Sequence, residues 1–441
     1  MDFIIVYERL TREYQNAILL KVELEKRGYS CLVSQYYQAE KFNFGLASNK
    51  TIILVPNMYI ERNIYRTMSR FGKANQIVNM QYEQVLSDKW EKLGHHNPRG
   101  NAQKTKHVCW GKKTAKRLID AGVPSKNVEV LGALQLDLLR PEFRIDKKLC
   151  KQNLAQEYPI VSQFENMSLF LSSFTYANIS EEKLKINEDA AGVNLSSFVD
   201  IHTSSRQEVL KWLARFLQDF PETLLVYRPH PDEMSIVSVL ELENRFDNFK
   251  VINHGAAKDW MEASDFAISW YSTTVVESHF LDLPYVILRP IDLPDDFDSV
   301  LLKKGSFVKE YDELRNLYLS FTSDDKCIKA LSDEDINDYY MIDKKMPSYI
   351  KYADYLVSLK ESGEVIELRY SNLKWLHSYV NTFGITMIYY FVRLAQRLSL
   401  SKYLRNNKKY EFWENEFKSQ IRDSAYESSV KKFVMEKLDV K

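Results

Sequence analysis

The sequence predicts an α/β protein built on parallel sheets, and three observations favour this class. Short apolar runs alternate with amphipathic helical patterns through most of the chain. Several of these runs stop at prolines or at clusters of hydroxyl and charged residues, as buried strands do at the edge of a sheet. The chain has 441 residues, which is too long for one ordinary domain and suits two or three. Strands alternating with helices form parallel sheets covered by helices.

The first predicted domain covers residues 1–160 and is Rossmann-like. Its first strand is predicted at residues 3–7, and an amphipathic helix over residues 14–27 ends at Gly28. Further strands are predicted at residues 30–33, 51–55, 76–79, 107–110 and 127–131. No GxGxxG motif follows the first strand, so the sequence does not indicate a dinucleotide. Three charged residues follow that strand instead: Glu8, Arg12 and Glu13.

The second predicted domain covers residues 161–325, and a polar, irregular linker at 141–166 leads into it. Its strands are predicted at residues 168–173, 223–227, 249–252, 265–270 and 283–288, with helices at 207–219, 258–263 and 275–281. A long polar loop is expected from Ile179 to Ser205. Residues 326–441 are predicted to form a helical extension, whose first part returns to brace the first domain.

Two strand ends in the second domain carry residues suited to a phosphate. The strand at 223–227 stops at Arg228-Pro229-His230-Pro231, because two prolines in four residues end a strand. The strand at 265–270 ends at a hydroxyl cluster, Ser272, Thr273 and Thr274, that opens a helix. Ligands of parallel sheets bind at the carboxyl ends of strands, and a helix start favours an anion. Glu277, one turn into that helix, could accept hydrogen bonds from ribose hydroxyls.

Composition excludes several other classes of protein. Lys and Arg together number 60, as do Asp and Glu, so no global charge favours nucleic acid. The four cysteines have no CxxC spacing, so neither a zinc site nor a disulfide framework is indicated. No signal peptide pattern opens the chain, and no run reaches the ~20 apolar residues of a membrane span. We therefore expect a cytoplasmic protein.

Three separated features resemble bacterial surface-carbohydrate biosynthesis proteins and related GT-B glycosyltransferases. They are the charged residues after the first strand, the run from Val130 to Glu142, and Tyr227-Arg228-Pro229-His230-Pro231 followed by Ser272, Thr273, Thr274 and Glu277. Ala133-Leu134-Gln135 stands where that family commonly has Asn-Pro-Arg. The His-Pro pair and the hydroxyl cluster are also similar to the nucleotide-holding motifs of CMP-sialic acid and CMP-Kdo transferases. The resemblance implies two Rossmann-like lobes with a cleft between them.

This resemblance implies a metal-independent enzyme that needs no cofactor. The donor would be a CMP-activated ulosonic acid, Kdo-like or sialic-like, and the acceptor a capsule or lipopolysaccharide glycan or glycolipid. Arg228, His230, the hydroxyl cluster and Glu277 would hold the nucleotide. Glu8, Arg12, Ser172 and Ser173 are candidates for binding substrate, the last three for the sugar carboxylate. Transfer needs a carboxylate as base or nucleophile, and the candidates are Asp200, Glu13 and Glu83.

Two alternatives stay open at this point. One is a CDP-glycerol glycerophosphotransferase of teichoic-acid type, in which His230 would be catalytic. The other is a non-catalytic subunit of a polysaccharide assembly complex.

The last hundred residues contain an asymmetry of charge. No Asp or Glu occurs from Leu368 to Tyr410, where basic residues are interleaved with aromatic and aliphatic ones. Residues 369–410 therefore suit either a helix on an anionic membrane surface or a helical hairpin packed on protein. The first reading would place the protein on the inner face of the cytoplasmic membrane.

Overall fold

A computed structural model describes the chain at residues 1–8, 10–36, 45–82, 87–230, 233, 236–253, 256–324, 328–343, 345–366, 368, 371–418 and 424–438. The chain divides into two compact units. Unit 1 comprises Met1–Gln84, Gly94–Leu138 and Asp338–Lys441, and unit 2 comprises Val85–Leu93 and Leu139–Asn337. Glu83 lies outside the described residues, as does the side chain of Arg12.

Each unit is built on a parallel sheet. The strands are β1 Phe3–Tyr7, β2 Cys31–Gln35, β3 Ile52–Val55, β4 Gln76–Asn79, β5 Lys106–Cys109, β6 Val128–Val130, β7 Asn166–Leu171, β8 Thr223–Arg228, β9 Phe249–Val251, β10 Phe266–Ser269, β11 Tyr285–Leu288 and β12 Phe307–Val308. Sheet 1 of unit 1 has the order β2-β1-β3-β4-β5-β6, and sheet 2 of unit 2 has the order β12-β11-β10-β7-β8-β9. All of the strand pairs are parallel, which confirms the predicted α/β class.

Helices follow most of the strands. In unit 1 they are α1 Gln15–Lys26, α2 Glu61–Phe71, α4 Lys112–Asp120, α5 Leu134–Asp137, α14 Ser348–Glu361, α15 Asn372–Arg397, α16 Ser401–Leu404, α17 Lys408–Lys418 and α18 Ser424–Lys437. In unit 2 they are α3 Asp88–Leu93, α6 Lys147–Glu157, α7 Glu181–Ala191, α8 Ser196–Asp219, α9 Val237–Glu243, α10 Ala257–Ala263, α11 Val275–Phe280, α12 Tyr311–Asp324 and α13 Asp333–Asn337. No helix in the described part of the chain is long and apolar enough to cross a membrane.

Apolar side chains from both components of each unit form its core. The core of unit 2 joins strand residues such as Phe170 and Ile268 to Val209, Leu213 and Phe216 of α8. Burial of this apolar surface is the main force that holds α8 on the sheet. The core of unit 1 likewise joins strand residues to Ile64, Met68 and Phe71 of α2.

Two segments expected to be irregular are helical. The predicted linker contains α6, which begins at an N-cap where the Asp146 carboxylate accepts hydrogen bonds from two backbone N–H groups. The predicted loop from Ile179 to Ser205 contains α7 and the first ten residues of α8. Both expectations were wrong because these helices bury few apolar residues, so their sequences lack a clear helical period.

The run from Val130 to Glu142 attaches α14 to sheet 1. Gly132 has φ +90°, and a Cβ there would lie 2.5 Å from Ser348 Oγ, so glycine allows the close approach. The buried Asp137 carboxylate accepts hydrogen bonds from the backbone N–H groups of Ser348 and Tyr349 at 3.0 and 2.6 Å. It therefore caps the N-terminus of α14. The role of this motif in unit 1 is structural, at least for these two residues.

Candidate functional site

The strand order of sheet 2 predicts where unit 2 binds a ligand. From β7 the chain winds outward through β8 to β9, then returns to the other side of β7 with β10. This order is that of the doubly wound nucleotide-binding fold, whose ligands bind outside the carboxyl ends of the strands where the winding reverses. In unit 2 that point lies between β7 and β10.

The register of sheet 2 aligns the predicted binding residues at this edge. Leu171, the last residue of β7, is in register with Arg228 on β8 and with Ser269 on β10. The predicted strand ends are therefore level, and Ser172, Arg228 and the hydroxyl cluster leave the sheet along one edge. Neighbouring strands are about 4.8 Å apart. One phosphate group and its sugar can thus reach side chains from all three strands.

Arg228 supplies a half-buried cation beside the switch point. Burial lowers the pKa of Arg228 to about 10, while the nearby Asp259 carboxylate and Tyr158 hydroxyl act in the opposite direction. Asp259 lies in the first turn of α10, and burial raises its pKa although Lys258 and Arg228 lower it. Arg228 remains charged at neutral pH and can bind an anion. Asp259 was not singled out in the sequence, because one acid at a helix start is a common capping pattern.

A buried acid holds the loop that carries His230. The Glu233 side chain is fully buried, and one of its carboxylate oxygens accepts a hydrogen bond from Ser172 Oγ at 2.7 Å. The other oxygen lies 2.9 Å from the Tyr227 hydroxyl and 3.2 Å from Arg206 Nη2, whose side chain is also buried. The backbone N–H of Glu233 donates to the carbonyl of His230 at 2.9 Å.

The consequence is that Glu233 connects the His230 loop to β7, β8 and α8. Burial, and secondarily the Glu233 carboxylate, raise the pKa of Tyr227 well above 10, so its hydroxyl keeps the proton that it donates. Ser172, predicted to bind substrate, contributes its Oγ to this network and is itself buried. No local pattern in the sequence marks Glu233, because its partner Arg206 is remote in the chain.

The hydroxyl cluster after β10 is organised by a strained turn. Tyr271 has φ +52°, a conformation that aromatic residues rarely adopt, and its hydroxyl donates to the Phe297 carbonyl at 2.6 Å. Ser272 Oγ accepts from the backbone N–H of Thr274 at 3.3 Å and lies 3.0 Å from Thr274 Oγ1. Helix α11 begins at Val275 and has six residues. Thr273 and Thr274 are half-buried and face this edge more openly than Ser272 does.

Glu277 is a half-buried acid in the first turn of α11. Burial raises the pKa of Glu277 to about 8, and its own backbone N–H lowers the pKa slightly. No other residue in the described ranges is recorded as a partner of this carboxylate. A carboxyl group that keeps its proton at neutral pH can accept one hydrogen bond from a ligand hydroxyl and donate another, which replaces its lost hydration.

Beside this edge lies a buried polar group that the sequence did not predict. The His202 ring packs edge-on against Trp270 and Phe198, with centroids 4.7 and 4.3 Å away. Neither ring nitrogen of His202, nor Trp270 Nε1, nor Nε and Nη2 of Arg289 has a hydrogen-bond partner in the structure as described. Burial, assisted by the charge of Arg289, lowers the pKa of His202 to about 3. His202 is therefore neutral.

The remaining predicted residues lie elsewhere. Asp200 is exposed on α8, two residues before the buried His202 and hence about 200° around the helix from it. Ser173 is half-buried after β7. In unit 1, Glu13 is fully buried in a π-helical turn at Leu10–Tyr14, and its carboxylate accepts a hydrogen bond from the Glu8 N–H at 2.6 Å. Glu8 itself is half-buried.

Among the residues that the structure describes, no group of three or more His, Cys, Asp or Glu side chains is placed to hold a metal ion. The edge of sheet 2 instead gathers a guanidinium group, an imidazole, hydroxyls and an acid. These groups can bind a phosphate and the sugar attached to it through charge-assisted and neutral hydrogen bonds.

Solved structures with a similar fold include two UDP-N-acetylglucosamine 2-epimerases. A UDP-N-acetylglucosamine 2-epimerase from Listeria monocytogenes has 12% identity and a TM-score of 0.50, over 84% of this chain and 99% of its own. The UDP-GlcNAc 2-epimerase of Neisseria meningitidis, bound to UDP-GlcNAc, has 12% identity and a TM-score of 0.50, over 81% and 100%. The wall teichoic acid polymerase TagF has 11% identity over 82% and 89%, but its TM-score of 0.45 carries no argument.

These similarities confirm the predicted two-lobed GT-B fold, with Rossmann-like sheets and a helical C-terminal region. At 12% identity they establish the fold alone. They do not support the predicted relation to CMP-Kdo and CMP-sialic acid transferases. No protein-family model matches the sequence, and no curated protein matches it.

We expect Glu277→Gln to flatten the pH dependence of stability. The folded carboxyl group keeps its proton up to about pH 8, whereas the unfolded group loses it near 4.5. Stability therefore falls as pH rises through this window, and glutamine removes this dependence. The melting temperature of the wild type should drop more than that of the variant between pH 5 and pH 8, by several degrees. Glu241→Gln, at an exposed helical acid of unit 2, is the control. Equal slopes for Glu277→Gln and wild type would contradict the raised pKa.

A second prediction concerns Glu233. Glu233→Gln keeps the side-chain shape but leaves the buried Arg206 charge without its counter-charge. We expect a loss of about 3 kcal/mol or more in stability, because an unpaired buried charge is costly. Urea denaturation followed by tryptophan fluorescence measures it. Glu243→Gln breaks the partly exposed pair with Lys250 and should cost no more than about 1 kcal/mol. A Glu233→Gln variant as stable as the control would show that the buried pair does not hold the loop.

Proposed function

We propose that this chain is a metal-independent glycosyltransferase that binds a nucleotide sugar in unit 2. The observation that carries the proposal is the level arrangement of Arg228, Ser172 and the hydroxyl cluster on three adjacent strands at the switch point of sheet 2. A nucleotide phosphate is the ligand that such a point most often binds. The epimerase of Neisseria meningitidis, which has the same fold, is bound to UDP-GlcNAc, which supports a sugar nucleotide as the ligand class.

Each residue at this edge has a role in the proposal. Arg228 neutralises the phosphate with a charge-assisted bond, and His230 donates a second hydrogen bond from its anchored loop. Thr273 and Thr274 complete the contact from the opposite side of β7. Glu277 accepts hydrogen bonds from the ribose hydroxyls. As the sugar leaves, the same cationic groups stabilise the charge that develops on the phosphate, so the chemistry requires no metal ion.

The donor that we favour is a CMP-linked ulosonic acid, Kdo-like or sialic-like, and this choice rests on the sequence motifs. In unit 2, Ser173 is the candidate for binding the sugar carboxylate, since the Ser172 hydroxyl donates to Glu233. In unit 1, Glu8 and Arg12 stay candidates for binding substrate on the sequence motif alone. The acceptor would be a glycan or glycolipid of the cell surface. Such acceptors are built at the inner face of the cytoplasmic membrane, where we expect the protein to act.

A second candidate is a glycerophosphotransferase that uses CDP-glycerol. The observation that favours it is the anchoring of the His230 loop through Glu233, Ser172 and Tyr227. An imidazole carried two residues after Arg228 on a loop anchored in this way suits acid–base catalysis at a diphosphate. A third candidate is a sugar-nucleotide-binding subunit with no catalysis of its own.

Calorimetric titration with CMP, CDP, UDP and GDP tests the nucleotide site. We expect CMP to bind most tightly, and Arg228→Ala and His230→Ala each to weaken binding about ten- to a hundredfold, because each removes a hydrogen bond to a charged group. Arg245→Ala is the matched control. Arg245 lies in the same unit, just after α9, where its guanidinium group stacks on the Phe246 ring.

Each outcome of this titration selects one reading. Preference for CDP favours the glycerophosphotransferase. Preference for UDP indicates that the donor is a UDP-linked sugar. Binding that survives both substitutions would remove the proposed site. If the folded wild type binds none of the four nucleotides, the fold stands but the enzyme proposal fails.

The catalytic carboxylate is proposed from three candidates, Asp200, Glu13 and Glu83. Conversion to the amide should lower kcat at least a hundredfold for the residue that acts as base or nucleophile, since such groups contribute about 10²–10⁴-fold. The measurement is turnover of the donor identified by calorimetry. Asp189→Asn on α7 is the control for Asp200→Asn, because it changes an exposed acid in the same unit. Full activity in all three variants would place the base outside this set, whereas a folded wild type that binds a nucleotide but shows no turnover would favour the non-catalytic subunit.

A further inference from the structure

Helix α15 exposes a row of large apolar side chains, although hydroxyl residues occupy part of the side that faces the protein. A helix at the surface of a water-soluble protein normally turns its apolar side chains towards the protein. In the first half of α15, the inward-facing residues include Ser378, Thr382 and Thr386. Ser69 Oγ of α2 lies 3.2 Å from Ser378 Oγ and 2.8 Å from Thr382 Oγ1, so hydroxyl hydrogen bonds join the two helices.

The outward face of α15 carries a continuous row of large apolar side chains. Nine of them are 44–80% exposed, and we call this set the apolar stripe: Leu373, Leu376, Val380, Phe383, Met387, Tyr390, Phe391, Leu394 and Leu398. Most are three or four positions apart, which places them on one side of the helix. The helix has 26 residues, so the stripe is about 39 Å long. Contiguous exposed apolar surface of this size marks an interaction site.

The charged residues of the segment that carries the apolar stripe are all basic, and acids reach this segment from other helices, as Glu61 of α2 pairs with Lys374 and Glu414 of α17 pairs with Arg405. The sequence from Leu368 to Tyr410 contains no acidic residue. Arg397 is exposed at the C-terminal end of α15, as are Lys402 in α16 and Lys408 and Lys409 at the start of α17. Exposed Leu400 and Tyr403 continue the apolar surface among these cations. Arg369 and Tyr370, before the helix, lie outside the described residues.

This charge pattern argues against a second copy of the chain as the occupant of the stripe. Two copies packed along the stripe would bring cations to the seam with no acid from the same segment to pair with them. An anionic lipid surface complements both features at once, because it offers negative headgroups and an apolar interior. The inner side of α15 remains packed on protein through Val392, Ala395 and Tyr389. The helix would therefore lie along the surface, with only the stripe in the lipid.

We propose that the apolar stripe of α15 binds an anionic membrane surface. The helix lies in the interface, Phe383, Met387 and Phe391 enter the acyl region, and Arg397 and Lys402 contact lipid phosphates. This inference is independent of the proposed transferase activity. It divides residues 369–410 into a lipid-facing side and a side that holds the helix on α2 and α17.

Vesicle co-sedimentation tests the proposal on the full chain. The wild type should bind vesicles of phosphatidylcholine with about 30% phosphatidylglycerol at least tenfold more tightly than pure phosphatidylcholine, as several cations near the surface predict. Phe383→Asn/Met387→Asn should reduce that binding at least about tenfold, because two apolar side chains no longer enter the lipid. Arg397→Glu should weaken binding to the anionic vesicles about fivefold or more, and added salt should have the same effect.

Matched controls distinguish binding through the apolar stripe from nonspecific binding to vesicles. Ile186→Asn/Val237→Asn changes two similarly exposed apolar residues of unit 2, and Lys112→Glu reverses an exposed charge of unit 1. Both should bind vesicles as the wild type does. Circular dichroism and the melting temperature verify that the stripe variant is folded, and its CMP titration reports on the nucleotide site separately.

Three results would overturn the proposal. The first is that the wild type does not bind anionic vesicles. The second is that the stripe variant and the control variants bind equally well. The third is a dimer in sedimentation velocity that Phe383→Asn/Met387→Asn dissociates while vesicle binding is unchanged, which would assign the stripe to a second copy.

Discussion

The candidate site depends on one constraint, the position of β7 between β8 and β10 in a fully parallel sheet. Because all strands point the same way, every strand end in unit 2 leaves the sheet at the same edge. The winding reverses at β7, so the loops after β7 and β10 diverge and leave a crevice between them. Arg228 and the hydroxyl cluster lie on either side of that crevice through backbone register alone. Their side chains need only local turns to face a common ligand.

Those local turns are fixed at an energetic cost. Tyr271 adopts a left-handed conformation, and the Glu233–Arg206 pair removes two charges from water. A buried pair of this kind seldom adds net stability over an apolar core. Its benefit here is positional, because Glu233 joins the His230 loop to Ser172 and Tyr227 and limits where the imidazole can lie. The unpartnered nitrogens of His202 and Arg289 nearby add to the strain of this edge. Polar groups held at such a cost are typical of ligand sites.

The sequence predicts the features whose signals are local. The apolar run of β8 and the prolines after it identify the strand, its end and the half-buried pair Arg228 and His230. Helix α6 escapes prediction because Cys150 is the one residue of it that the described structure buries, so no apolar period is present. The beginning of α8 is missed because Phe198 and His202 are held by aromatic contacts from distant segments. Glu233 is missed because its importance comes from Arg206, which only folding brings near. The sequence therefore identifies candidate ligand-binding residues, whereas the residues that position them are identified only from tertiary contacts.

Helix α15 shows why amphipathic patterns need a structure to be interpreted. Its sequence contains apolar residues all round, so periodicity cannot say which side faces the protein. The contacts with α2 settle the question, since hydroxyl pairs and the buried Arg70 occupy the inward side. Because hydroxyl groups occupy the inward side of this half of the helix, most of its apolar surface lies on the outward side. Under the proposal made above, hydrogen bonds hold one side of the helix on α2, and the lipid surface covers the apolar side chains of the other.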